Sequence, residues 1–274
     1  MNKNLLIIAI LAINLSLIFS QETEKPLENN NTKFLVFTEK CFNTFFVDNN
    51  FAEIPCIKLT LSKTVGLAIV AFSAILKVPQ ILKIVKSNST EGLAYSSFYN
   101  ELILYTFSVA YNLFKGSPFG LYGENVFIAI QNIAILLLFI KLDKQTSKTF
   151  MITSLFLYTA ISIPLLLQVI PIWIYQYTMY INMALVAMSR LPQIWTNLKA
   201  KSTGQLAAIT VFLSFAGAVA RFLTVMTESG DDLLQLGLTL ESVVLNGTVF
   251  AQICLYWNST QAKTTPQAKA KKTQ

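Results

Sequence analysis

Lys77–Ala94 reads KVPQILKIVKSNSTEGLA, and Arg190–Ala207 reads RLPQIWTNLKAKSTGQLA. The two align without a gap at a spacing of 113 residues, and Pro79, Gln80, Ile81, Lys86, Ser89, Thr90, Leu93 and Ala94 each recur. Two apolar helices drawn at random would not share a Pro-Gln, a cation two residues before the proline and a Ser-Thr-x-x-Leu-Ala loop. The stretch is an internal repeat, and its period sets the architecture.

The composition supplies the medium. The chain has 274 residues, 54% of them hydrophobic and 13% charged, where a soluble domain carries about 25% charged residues. So few charges cannot coat a water-facing surface. From Thr64 onward the apolar residues fall in seven runs: 64–85, 96–114, 124–141, 150–168, 172–197, 206–226 and 234–257. Each is near the ~20 residues that span ~30 Å of hydrocarbon. The repeat lies in the first and fifth runs, so runs one to three and five to seven are two copies of one unit. A single helix between them keeps both copies pointing the same way. The sequence predicts an all-α transmembrane fold, a seven-helix bundle of two parallel three-helix repeats joined by one connector helix. The divisions expected are 1–20, 21–60, 61–145 for the first repeat, 146–170 for the connector, 171–258 for the second repeat, and a basic tail at 259–274.

Loop charges give an orientation. Lys86, Lys141, Lys144, Lys148, Lys199, Lys201 and the tail lysines, with Glu91, lie on one side, and Lys115, Glu228, Asp231 and Asp232 on the other. The positive-inside rule then puts the C-terminus in the cytosol and the N-terminus on the opposite side. Lys3 followed by an apolar run from Leu5 to Phe19 reads as a signal peptide ending near Ser20, or as a retained first helix. Cys41 and Cys56 follow it, and in a lumenal segment they are disulfide candidates; two unpaired thiols are the alternative. Asn30 is the glycosylation candidate on that side. The terminal KKTQ resembles a dilysine signal read by the coat-protein retrieval machinery, or is an ordinary basic tail.

Histidine is absent and no CxxC occurs, which removes His-based catalysis and thiolate zinc sites; no metal or cofactor is expected. No basic block with interleaved aromatics suggests nucleic acid. Lys77, Glu101, Arg190, Arg221 and Glu241 lie inside apolar runs, where each charge costs at least ~2.5 kcal/mol at a helix centre. They should pair or face a polar path. By depth Lys77 matches Glu101, and Arg221 matches Glu241. Arg190 has no matching acid, because the repeat equivalent of Glu101 is Ser214. Snorkelling of Lys77 and Arg190 to the interface is the alternative. Asn132 and Asn246, at roughly equivalent places, could bond a sugar head group or simply join helices. Pro79-Gln80 and Pro192-Gln193 read as paired kinks, for hinging or for shape alone. Glu101 and Glu241 lie at opposite depths, so a two-carboxylate enzyme site is disfavoured.

Pro-Gln in the first and fifth segments of a three-plus-one-plus-three bundle resembles the PQ-loop family, which includes sugar and amino-acid transporters. The stretches EKCFNTFFVDNNFAEIPCIKLTLSKTVGLAIV, STGQLAAITVFLSFAGAVARFLT, ESGDDL and NGTVFAQICLYWN are similar to its mannose-P-dolichol utilization defect branch. That resemblance implies a protein of the endoplasmic reticulum membrane. It would be needed for glycosyltransferases to use dolichyl-phosphate mannose and dolichyl-phosphate glucose in N-glycan and GPI-anchor synthesis. The sequence alone leaves open a transporter of a small soluble substrate.

Three sequons test the orientation. Asn30 should carry glycan in cells, and Asn88 and Asn258 should not; a glycosidase-sensitive mass shift that persists in Asn30→Gln would mean the bundle is inverted.

Overall fold

The computed structural model describes residues 32–33, 36–203 and 208–270. The expected leader at 1–20, Asn30 and the terminal KKTQ lie outside the described residues. A two-residue pairing of β1 (Thr32–Lys33) with β2 (Phe37–Thr38) leads into α1 (Glu39–Phe46). Then come α2 (Ile54–Ser73), α3 (Val78–Ser87), α4 (Tyr95–Lys115), a single 3-10 turn at Phe119–Leu121, α5 (Gly123–Leu142) and α6 (Lys148–Leu166). The chain continues through α7 (Ile172–Ala200), α8 (Ala208–Glu228) and α9 (Leu233–Ala270).

Each of the seven apolar runs is helical over most of its described residues. Among the described residues five spans are long and apolar enough to cross a membrane: 54–87 taken as one broken helix, 123–142, 148–166, 208–228 and 233–257. The protein is a multi-pass membrane protein. The first run departs from expectation twice. It starts ten residues early, where Pro55 sits in the first turn, a position that wastes no N–H. It is also interrupted at 74–77.

The repeat is visible in the backbone. α4 and α8 are both 21 residues long, and their ends stand 113 residues apart. α3 and α7 end at Ser87 and Ala200, at the same spacing. Asn88 and Lys201 follow with φ of 49° and 44°, a left-handed conformation uncommon outside glycine. Buried positions of the third helices keep the register too. Tyr122, Val126, Asn132, Ile133, Leu136 and Phe139 are buried, as are Gln235, Thr239, Leu245, Asn246, Val249 and Gln252. The equivalent of Asn132 is therefore Leu245, and Asn246 corresponds to Ile133. That corrects the expected pairing of the two asparagines, which is off by one residue and so by about 100° around the helix.

The chain divides into two compact units, one up to Met179 and one from Tyr180. In the first, α5 packs chiefly on α4, and a core of Ile84, Phe98, Leu102, Leu136, Phe139 and Met151 joins α3, α4, α5 and α6. The connector α6 is fastened to α4 by hydroxyls. Tyr95 Oη meets Met151 O at 3.1 Å and Ser154 Oγ at 2.7 Å, Tyr99 Oη donates to Ser154 O at 2.9 Å, and Thr106 shares a 2.8 Å bond with Tyr158. In the second unit α8 packs on α9, and Ile194 of α7 joins Val211, Leu245, Val249 and Ile253.

Cys41 and Cys56 are joined, with their Cα atoms 5.3 Å apart. Closing a loop of this length contributes about 3 kcal/mol on a chain-entropy account. Non-reducing mass spectrometry of membrane-extracted protein should return the crosslinked peptide pair. Cys56→Ser should lose it and expose 39–61 to limited proteolysis; alkylation of both native thiols under non-reducing conditions would contradict the bridge.

Candidate functional site

Proline 79 has no N–H to give Ile75 O, and a helix through it would leave that carbonyl bare in lipid. The chain avoids this by breaking early. Ile75 O takes the N–H of Val78 instead, at 3.2 Å, and Leu76 N reaches Ser73 O in the same tight manner. The helix resumes at Val78 with Pro79 in its first turn. The break leaves Lys77 N–H unmet and Ser73 O with spare capacity. Gln131 of α5 serves both: Lys77 N donates to its Oε1 at 2.7 Å, and its Nε2 donates to Ser73 O at 2.8 Å. Gln131 thus supplies the support from another helix.

The break turns Lys77 inward. Its Nζ forms an ion pair with Glu101 of α4 and lies 5.1 Å from the centre of the Phe98 ring. Asn132, next to the clasp residue on α5, donates from Nδ2 to the same Glu101 oxygen at 3.2 Å. Asn132 is 0% exposed and Lys77 13%, while Glu101 remains 40% exposed. The cluster is thus a neutralised pair with one face open. Asn132 Oδ1 is buried without a hydrogen-bond partner, an unmet acceptor that costs about 1–3 kcal/mol. An incoming hydroxyl or N–H would satisfy it.

The second repeat fills the same positions differently. Among the described residues Arg190 donates to Gln193 Oε1, three residues along its own helix, at 3.5 Å. No carboxylate of the described residues pairs with it. The Glu101 equivalent, Ser214, returns its hydroxyl to Thr210 O. Gln131 corresponds to Val244, which supplies no amide, and α7 runs unbroken through Pro192. The two Pro-Gln sequences are therefore a break and a continuous helix, not a matched pair of kinks. Asn246 bonds Ser242 of its own helix. The polar contact between helices moves elsewhere: Asn197 Nδ2 donates to Gln252 Oε1 at 3.0 Å, and Gln252 Nε2 donates to Ile194 O at 3.0 Å.

Glu241 does not pair with Arg221. Its Oε2 is buried without a hydrogen-bond partner. Across α4 and α5 the facing pairs are Glu101 with Asn132 and Ser108 with Asn125. Carried over by 113, that register sets residue 238 against Arg221. Glu241 is three residues further on, on the same side of the helix but about 4.5 Å along its axis. A level read from run boundaries is too coarse to reveal that offset.

A cavity of about 640 Å³ lies at the loop end of the first unit, lined by residues 88–96 and 142–146 with Phe150. It excludes Lys77, Glu101 and Asn132. Its polar groups bond one another. Asp143 accepts from the N–H groups of Gln145 and Thr146, with Thr90 Oγ1 at 3.5 Å. The Thr146 hydroxyl, with these backbone donors, holds the Asp143 carboxyl below the usual range. This is a loop staple, and the open acceptor of Asn132 makes the deeper cluster the better site.

The family comparison fits the two units. The PQ loop repeat matches this sequence twice, over residues 61–121 and 174–234, again 113 residues apart. The chain carries two PQ-loop repeats. A solved eukaryotic SWEET transporter has the same fold, with a TM-score of 0.57 and 18% identity over 72% of this chain and 97% of that one. Within the PQ-loop frame, sequence reading found the ion pair but missed Asn197 and the clasping role of Gln131. An amide at the level of a Pro-broken neighbour is the signal that marks Gln131.

The ion pair has a distinguishing test. Glu101→Gln should lower stability by roughly 2 kcal/mol, since it strands the Lys77 ammonium. Lys77→Met with Glu101→Gln should recover most of the loss, read by thermal unfolding in detergent; equal losses in single and double variants would mean the pair is unimportant.

Proposed function

We propose that this PQ-loop protein acts in the endoplasmic reticulum membrane. There it makes dolichyl-phosphate mannose and dolichyl-phosphate glucose usable by glycosyltransferases, by moving or presenting the donor lipid, without a reaction of its own. The stretches similar to the mannose-P-dolichol utilization defect 1 protein support this, and one structural observation carries it. Arg190 presents a guanidinium fork inside an apolar helix, and among the described residues it has one long contact, to Gln193, and no acid. Such a group suits a phosphate, which it can grip through two N–H bonds.

A second reading is transport of a small soluble substrate such as a sugar or an amino acid. It is favoured by the neutralised Lys77–Glu101 pair, which presents hydrogen bonds to a ligand without net charge. It also agrees with the fold shared with a SWEET transporter.

Proteoliposomes separate the two. Transfer of a labelled dolichyl-phosphate mannose to the inner leaflet, with no uptake of free mannose, is the expected result. Arg190→Gln should reduce lipid transfer about tenfold, and Arg190→Lys less, because charge survives and the fork does not. Uptake of free sugar, unaffected at Arg190 and lost in Asn132→Ala, would favour the soluble substrate.

A further inference from the structure

Five phenylalanines and a disulfide form a small cap at the start of α2. The Phe37 ring meets Phe42, Phe45 and Phe46 edge-on at 6.4, 6.2 and 5.5 Å, and Phe51 stacks on Phe45 at 5.9 Å. The inner face buries Cys41, Phe45 and Cys56 against Leu59. The outer face is bare: Phe46 is 54% exposed, Val47 65%, Phe51 61% and Ile54 63%. None of these four side chains carries a hydrogen-bonding group; the exposed Asp48, Asn49 and Asn50 lie in the turn between Val47 and Phe51.

This bare face does not end at the cap. Ile57 and Leu61 are also exposed, and with Ile54 they follow the helical spacing of one stripe along α2. The span they belong to, 54–87, has 34 residues, or about 50 Å of helix, against ~30 Å of hydrocarbon and ~40–45 Å with the head groups. Its first turns therefore stand at head-group level, and the disulfide from Cys41 to Cys56 holds α1 at that height.

We propose that the cap is an interfacial membrane anchor. Phe46, Val47 and Phe51 insert among the lipid head groups at the N-terminal end of α2, continuing the lipid-facing stripe of that helix sideways along the membrane surface. Aromatic and aliphatic side chains on one face of a short helix bind this layer through buried apolar area. The disulfide makes the geometry permanent, so insertion requires no new ordering of the chain.

Phe46→Trp and Phe51→Trp, each in protein whose Trp173, Trp195 and Trp257 are replaced by Phe, report the surroundings in phosphatidylcholine vesicles. The expected result is blue-shifted emission, with roughly half lost to lipid brominated near the carbonyl end of its chains, and little quenching by aqueous acrylamide. Strong acrylamide quenching with no bromolipid effect would place the cap in water and overturn the proposal. Shielding from both quenchers would mean that protein covers it, and would also overturn it. A second measurement keeps the native tryptophans: a benzophenone side chain at position 46 should crosslink to phosphatidylcholine, and crosslinks to protein alone would refute the anchor.

Discussion

A backbone group left unpaired in hydrocarbon has no water to turn to. The break at 74–77 exists only because Gln131 answers both the Lys77 N–H and the Ser73 carbonyl. The rest of the first repeat depends on that clasp. It ends α2 and starts α3 at the residue whose ammonium then points to Glu101. It also fixes the height of α5 against the break. Asn132 is the next residue after Gln131, so the residue that secures the fold and the residue with the open acceptor are neighbours on one helix. Support and site are built from a single dipeptide.

The two repeats share a frame and differ in where they are polar. In the first, Lys77, Glu101 and Asn132 are polar, and Ile84 and Phe139 are apolar core. In the second, the equivalents of those core residues are Asn197 and Gln252, which bond each other, and the equivalent of Asn132 is Leu245. The polar layer has moved seven residues along the helix, about 10 Å. The interhelical amide and charge contacts of the two repeats thus stand at different levels.

Much of the fold was legible in the sequence because lipid imposes simple rules. Run length gave the helices, and the 113-residue period gave their grouping. The ion pair was legible because Lys77 and Glu101 lie at one depth and happen to face each other. Arg221 and Glu241 passed the same depth criterion and do not pair, since run boundaries fix depth only to within a turn and the packing register sets Glu241 about 4.5 Å along from the position facing Arg221. The early start of α2 and the break were hidden for another reason. The first turns of α2 contain Lys58 and Lys63, which end a hydropathy run without ending a helix. The break depends on an amide in a distant helix, and nothing local to Pro79 announces it. Pro192 is equally proline and does not break its helix.

The tyrosine and threonine bonds between α4 and α6 bear on the origin of the architecture. A duplicated three-helix unit needs one extra crossing to keep both copies parallel, and any apolar helix would serve that purpose. Here the first half of the extra helix, from Met151 to Tyr158, is bonded to the first copy, at about 0.6 kcal/mol for each interhelical bond in a membrane. The first copy has become a four-helix block, whereas the second touches the connector at the start of α7, where the Tyr175 hydroxyl donates to Leu165 O at 3.1 Å. A helix required for parity has become a buttress, and a symmetric duplication has been left with two mechanically unequal halves.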